Sequence, residues 1–201
     1  IISRTWYIFL MIFKQHNKIT TNRHLYWLAA NAMKQDLPKI PSYQQFCKGL
    51  EESLYFFIIA MNALIKLNKF NPSDVHIIDS MLLPICSFKH RYNSKLGKGI
   101  AGTGKNADGF CFGFKIHAII NPKMQIVAFT ITPANVSDIK AMNDKLVKDI
   151  FGWLVGDKGY ISKKRFKELF EKGLKLVTRV RKNMKQFPLL PFEASLLSLR
   201  P

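Results

Sequence analysis

Two aspartates stand where apolar sequence makes a carboxylate costly. Asp79 interrupts the largely apolar, β-branched run Val75–Leu83, and Asp157 closes the short apolar run Trp153–Gly156. A carboxylate within or at the end of a buried strand is unfavourable unless it is paired or bound to a cation. If the two strands are neighbours, both side chains can converge on one spot and bind Mg²⁺, a hard ion that prefers oxygen ligands. Two such ions can clamp the attacking and leaving oxygens of a phosphodiester during an in-line displacement. A plainer alternative stays open, in which Asp79 pairs with a lysine and Asp157 merely opens the turn Asp157-Lys158-Gly159-Tyr160.

Other side chains could serve the same chemistry. Lys115 and His117 share the polar face of an alternating segment, within reach of a scissile phosphate; His117 is otherwise a half-buried histidine satisfied by a backbone carbonyl. Asp138 is expected to cap the helix it opens, with a secondary role near the site as the alternative. Lys158 and Tyr160 adjoin Asp157, close enough to touch a DNA backbone. The remaining basic residues fall into two groups. Lys89, Arg91, Lys95, Lys98 and Lys105 lie on a glycine-containing loop, and Lys163, Lys164, Arg165, Lys167, Lys172, Lys175, Arg179, Arg181, Lys182 and Lys185 form a run opposed only by Glu168 and Glu171.

The elements that must position these groups follow from periodicity. Residues 1–70 read as helical, with Leu50, Leu54, Phe57, Ile58, Met61, Leu64 and Ile65 recurring at three- and four-residue steps. The cluster Asn71-Pro72-Ser73-Asp74 marks the expected boundary between a helical region, 1–72, and a second domain, 73–201. In that second domain Val75–Leu83 is a strand, 84–108 a basic loop, and Phe112–Ile120 and Gln125–Thr132 a hairpin about Asn121-Pro122-Lys123. Asp138–Ile150 carries a helical stripe of Ile139, Met142, Leu146 and Ile150. Trp153–Gly156 is a strand, Ser162 caps a helix that Gly173 stops, and Leu174–Val180 is a last strand. The order predicts a mixed α/β sheet flanked by helices.

Composition narrows the function classes. The chain is 48% hydrophobic and 22% charged, as a globular protein is, and its 31 Lys+Arg against 13 Asp+Glu leave +18. Most of that surplus lies after residue 74. It points to a polyanion, nucleic acid first, and away from an acidic solvating tail. Phosphate contacts of this kind give affinity and salt dependence without base specificity. Cys47, Cys86 and Cys111 are widely spaced and suggest neither a disulfide framework nor a structural zinc site, as expected of reduced cytoplasmic thiols. The apolar stretches Trp6–Phe13 and Leu54–Ile65 are too short for a membrane span.

Four blocks carry a family resemblance. Ile77-Ile78-Asp79-Ser80, Gly113-Phe114-Lys115-Ile116-His117, Thr132-Pro133-Ala134-Asn135-Val136-Ser137-Asp138 and Gly156-Asp157-Lys158-Gly159-Tyr160 resemble, in this order, bacterial insertion-sequence transposases of the DDE type. The similarity runs from about Ile77 to Lys185, and the helical leader from about Thr21 is similar too. It implies a ribonuclease H-like catalytic core and a two-metal site for Mg²⁺ or Mn²⁺. It also implies cut-and-paste chemistry on terminal inverted repeats and target DNA, by a homodimer engaged on DNA, in a nucleoid-associated cytoplasmic setting. A DNA-binding role would suit the helical region. By position Asp79 matches the first metal carboxylate of the family and Asp157 the second.

The third carboxylate has no match. The family's Glu lies on a helix a few residues beyond an aliphatic-basic stretch, which here resembles Leu196-Leu197-Ser198-Leu199-Arg200, while Glu193 precedes it. With Ile at position 1 and the sequence stopping at Pro201, the chain is expected to be cut at both ends and catalytically impaired. Two other readings remain: a non-enzymatic basic DNA-binding protein, and a ribonuclease H-like nuclease unrelated to mobile elements.

Overall fold

The computed structural model describes residues 2–37, 39–69, 73–106, 109–179 and 190–199. The chain divides into two compact units, Ile1–Leu64 and Ile65–Pro201. The first is built from α1 (Arg4–His16), α2 (Asn22–Asn31) and most of α3 (Tyr43–Lys69). The hydroxyl oxygens of Ser3 and Thr21 accept the N–H groups of Trp6 and His24, capping α1 and α2. Tyr7, Leu10, Leu25, Ala29, Phe46 and Leu50 make this unit's core. No described helix is long and apolar enough to cross a membrane.

The second unit is a mixed sheet with helices on it. Its strands are β1 (Val75–Ser87), β2 (Gly102–Asn106), β3 (Gly109–Ile120), β4 (Ile126–Pro133), β5 (Gly152–Gly156) and β6 (Leu174–Thr178). Between them lie α4 (Asp138–Ala141) and α5 (Lys163–Glu171), and α6 (Pro191–Ser198) follows β6. β3 lies antiparallel to β1, while β5 is parallel to β1 and β6 to β5. On the far side of β3, β2 pairs with its first residues and β4 with its last. The six strands run in the order β2-β3-β1-β5-β6, with β4 also paired to β3, a mixed sheet flanked by helices as the sequence order predicts.

Alternation along the strands gives the sheet two different faces. Ile78, Ile119, Leu154 and Leu176 point to one side, where Met142, Leu146, Tyr160 and Leu169 cover them. Ile77, Val155 and Val177 point to the other, beneath Leu196 and Leu197 of α6.

Three elements depart from the sequence expectation. β1 runs on to Ser87 because Pro84, which lacks a donor, sits beside a register shift between Pro84 and Cys86 where the ladder loses little. Part of the expected basic loop is β2, whose Gly-Thr-Gly-Lys-Asn composition hides a strand that pairing with β3 enforces. The helix expected over Asp138–Ile150 is α4 followed by turns. There the Asn143 side-chain oxygen accepts from the N–H groups of Lys145 and Leu146, offering the backbone an alternative to helix. Met142, Leu146 and Ile150 are buried all the same, so the apolar stripe reflects core contact more than helix.

Candidate active site

The register of the parallel pair sets the position of the two aspartates. Val75, His76 and Ile77 of β1 stand opposite Trp153, Leu154 and Val155 of β5. Two residues beyond the last paired position, Asp79 and Asp157 follow in the same register at the carboxyl end of β5. Alternation puts both on the face of Ile77 and Val155, and both are exposed. The chain also switches sides here, from β3 on one flank of β1 to β5 on the other, the kind of crevice where open α/β sheets bind ligands. Asp79 accepts the N–H of Ser80 at 2.9 Å through one carboxylate oxygen.

This donor set fits a hard divalent ion. Mg²⁺ commonly takes one or two carboxylates and leaves its other positions to water and phosphate oxygens. Among the described residues no three His, Cys, Asp or Glu side chains gather as a closed metal cage. Glu193 is engaged elsewhere. Its Oε2 accepts the N–H of Leu190 at 3.0 Å, and its Oε1 lies 2.8 Å from the Lys175 ammonium. The hydrogen bond from Lys175, then that from Leu190, holds its carboxyl below the usual carboxylate range. Lys175 stands opposite Trp153, four residues before Asp157 and so about 13 Å back along the strand.

The opposite face carries a polar cluster whose members the sequence placed differently. Lys115 and His117 lie on the side of Ile119, across the sheet from Asp79, and His117 is wholly buried. His117 is therefore enclosed, and Lys115 is half-buried beside it. The Lys115 ammonium donates to Asp138 Oδ1 and to the Val136 carbonyl, each at 3.1 Å. His117 Nε2 is bonded to the Thr132 hydroxyl at 3.1 Å, where a backbone carbonyl was expected, and its Nδ1 lies 3.7 Å from Asp138. Burial lowers the His117 pKa below the ordinary histidine value; Asp138 opposes that shift and Lys115 adds to it. Asp138 does not cap α4: Ser137 is the cap residue, and Asp138 Oδ1 accepts the Ser80 hydroxyl at 3.1 Å.

Two more of the expected DNA contacts lie inward or are paired. Tyr160 is buried in the core beside Ile78 and Leu154, because the single turn Lys158–Tyr160 rotates it inward. Arg165, 13% exposed at its side chain, is paired with Asp144 and Glu168 at 2.9 Å each. Lys158, Lys163, Lys164, Lys167 and Arg179 are exposed. Lys172 pairs with Asp144 and Lys175 with Glu193. Lys89 is exposed at the tip that follows β1, whereas the Arg91 guanidinium is sandwiched 3.6 Å from the Phe88 ring centroid and 4.1 Å from that of Tyr92. Arg181, Lys182 and Lys185 lie outside the described residues. Ser80 is the residue that sequence reasoning passed over. The two-residue period, carried one step past Asp79, was the signal that would have put it on the Lys115 face.

Comparisons with known proteins bear on the family. Residues 69–201 match the family model described as the transposase DDE domain. No curated protein matches the chain. Among solved structures, the piggyBac transposase synaptic complex with hairpin DNA, determined by cryo-EM, is similar at 17% identity and a TM-score of 0.39, over 58% of this chain and 25% of that one. The chain thus spans about a quarter of the length of that transposase. By the match over its second unit, the chain belongs to the transposase DDE domain family.

Proposed function

We propose that the chain carries the catalytic portion of a DNA transposase from a bacterial insertion sequence, acting on phosphodiester bonds at the terminal inverted repeats. The observation that carries this reading is the level placement of Asp79 and Asp157 on one exposed face at the switch point of the sheet. Those two side chains would hold Mg²⁺ or Mn²⁺, which supplies charge neutralisation at the scissile phosphate and lowers the pKa of bound water. Lys158, exposed next to Asp157, meets the adjoining phosphate, and Lys89, Lys163, Lys164 and Arg179 extend the contact along the DNA backbone. The helical unit adds DNA contacts of its own, and two protomers act on paired ends.

Two carboxylates leave the metal pair under-ligated, and a misplacement of about an ångström can cost on the order of a hundredfold in rate. The protein is therefore expected to cleave repeat-end DNA poorly. A labelled duplex incubated with it and Mn²⁺ tests this. Robust cleavage, lost in Asp157→Ala, would refute the need for a third carboxylate.

A second reading is favoured by the lack of a three-ligand cluster among the described residues: a basic protein that binds DNA without metal. Thermal melting separates the two, since Mn²⁺ should stabilise the wild type and not Asp79→Asn only if the carboxylates bind it. A nuclease unrelated to mobile elements would instead prefer an RNA–DNA hybrid to duplex DNA in the same cleavage assay.

A further inference from the structure

We propose that Asp138 is a positioning residue for the catalytic centre, a post behind the sheet that ties the strand bearing Asp79 to the turn bearing Asp157. The inference rests on the reading of those two aspartates as metal ligands and concerns how they are held. Asp138 opens α4 on the face opposite to both. Its Oδ1 accepts the Ser80 hydroxyl at 3.1 Å, and the N–H of that same Ser80 donates to Asp79 Oδ1 at 2.9 Å. One serine therefore connects the two carboxylates through the thickness of the sheet. The orientation of the Asp79 side chain follows that of the Ser80 peptide, which Asp138 anchors from behind.

The other oxygen of Asp138 faces the second ligand's turn. A Cβ added to Gly159, two residues after Asp157, would lie 2.6 Å from Asp138 Oδ2. The Gly159 backbone therefore rests against the carboxylate, and a side chain at this position would have to push it aside. Tyr160, buried in the core, pins the far end of the same turn. Lys115 makes the post rigid and tolerable where it stands: its ammonium reaches both Asp138 Oδ1 and the Val136 carbonyl at 3.1 Å, neutralising a half-buried charge and fixing the approach to α4. Outer residues that orient ligating carboxylates commonly change metal affinity by about ten- to a hundredfold when removed.

The test measures Mn²⁺ affinity by titration with electron paramagnetic resonance on the 201-residue protein, beside the melting temperature of each variant without metal. Asp138→Ala should weaken Mn²⁺ binding about tenfold, and Ser80→Ala should do the same with less effect on folding. Asp138→Asn, which keeps an oxygen for the Ser80 hydroxyl, should recover most of that loss. Gly159→Ala should weaken binding in the wild type by displacing the carboxylate, yet have little effect in the Asp138→Ala background, where nothing remains to displace. A merely structural Asp138 would lower the metal-free melting temperature and leave the affinity of the folded protein unchanged. Unchanged affinity in folded Asp138→Ala or Ser80→Ala, or additive losses for Asp138→Ala and Gly159→Ala, overturns the proposal. Asp79→Asn run alongside separates the failures: if it binds Mn²⁺ as the wild type does, the metal-site reading falls instead.

Discussion

Asp79 and Ser80 are consecutive residues on one strand, and the two sides of the sheet they face are organised in opposite ways. On the Asp79 side the carboxylate is exposed, Asp157 stands level with it, and Lys158 next along the chain is open to solvent. On the Ser80 side, Asp138 accepts hydrogen bonds from Ser80 and Lys115 at 3.1 Å, and His117, with no exposure, bonds Thr132 at 3.1 Å and lies 3.7 Å from Asp138. The contrast separates two tasks. On the proposed reading, the open side would take up metal and phosphate, while the precision needed there would come from the packed polar cluster on the back.

The difference can be broken from either side, and the front should be the more sensitive in function. Asp79→Ala or Asp157→Ala should lower the strand cleavage that the wild type shows by more than about a hundredfold while the melting temperature without metal changes little. A large fall in metal-free stability would mean that the exposed aspartates serve the fold. On the back, Lys115→Met should cost about 3 kcal/mol in urea denaturation, because it strands the Asp138 carboxylate beside a buried histidine. A cost below about 1 kcal/mol would show the network to be as loose as a surface pair.

The basic residues sharpen the same contrast at lower magnitude. Lys163→Ala with Lys164→Ala should reduce the salt slope of DNA binding by about two and leave stability nearly unchanged. Arg165→Ala should do the reverse, since that guanidinium is spent on Asp144 and Glu168. Equal effects of the two changes on DNA affinity would erase the distinction. The smallest effect concerns pH. Burial lowers the pKa values of His76 and His117 below the ordinary value of 6.5. As pH falls through about 6.5 the unfolded chain takes up protons that the folded chain refuses, so stability declines from there towards the lower folded values. His117→Gln should flatten part of that decline in denaturation midpoints measured at pH 7.5 and 5.5; an unchanged profile would assign the decline to other groups.

Local signals were legible wherever a single element governed them. The Ser162 cap of α5, the positive φ of Gly173 and the alternation of Phe112–Ile120 follow from chemistry that needs only near neighbours. β2 was not legible, because its glycines carry no strand preference and only β3 beside it makes it a strand. Nor was the end of α4, where Asn143 competes for the backbone. Among candidate site residues, Lys115, His117, Tyr160 and Arg165 looked like outward cations and hydrogen-bond donors by type alone. Their burial is a property of what packs against them.

The sequence by itself determined that a basic chain would form an α/β sheet with two aspartates at strand positions where carboxylates are unfavourable without a partner, and its four ordered blocks resembled a transposase core. These are properties of residue type, period and order, which a linear string contains. Tertiary structure alone decided that β1 and β5 are parallel neighbours in the register that levels Asp79 with Asp157, and that Asp138 lies behind them with Ser80 between. A shift of one residue in either strand would send one aspartate to the other face. That register is fixed by burying Ile77 with Val155 and Ile78 with Leu154, contacts between segments more than seventy residues apart that no local pattern encodes.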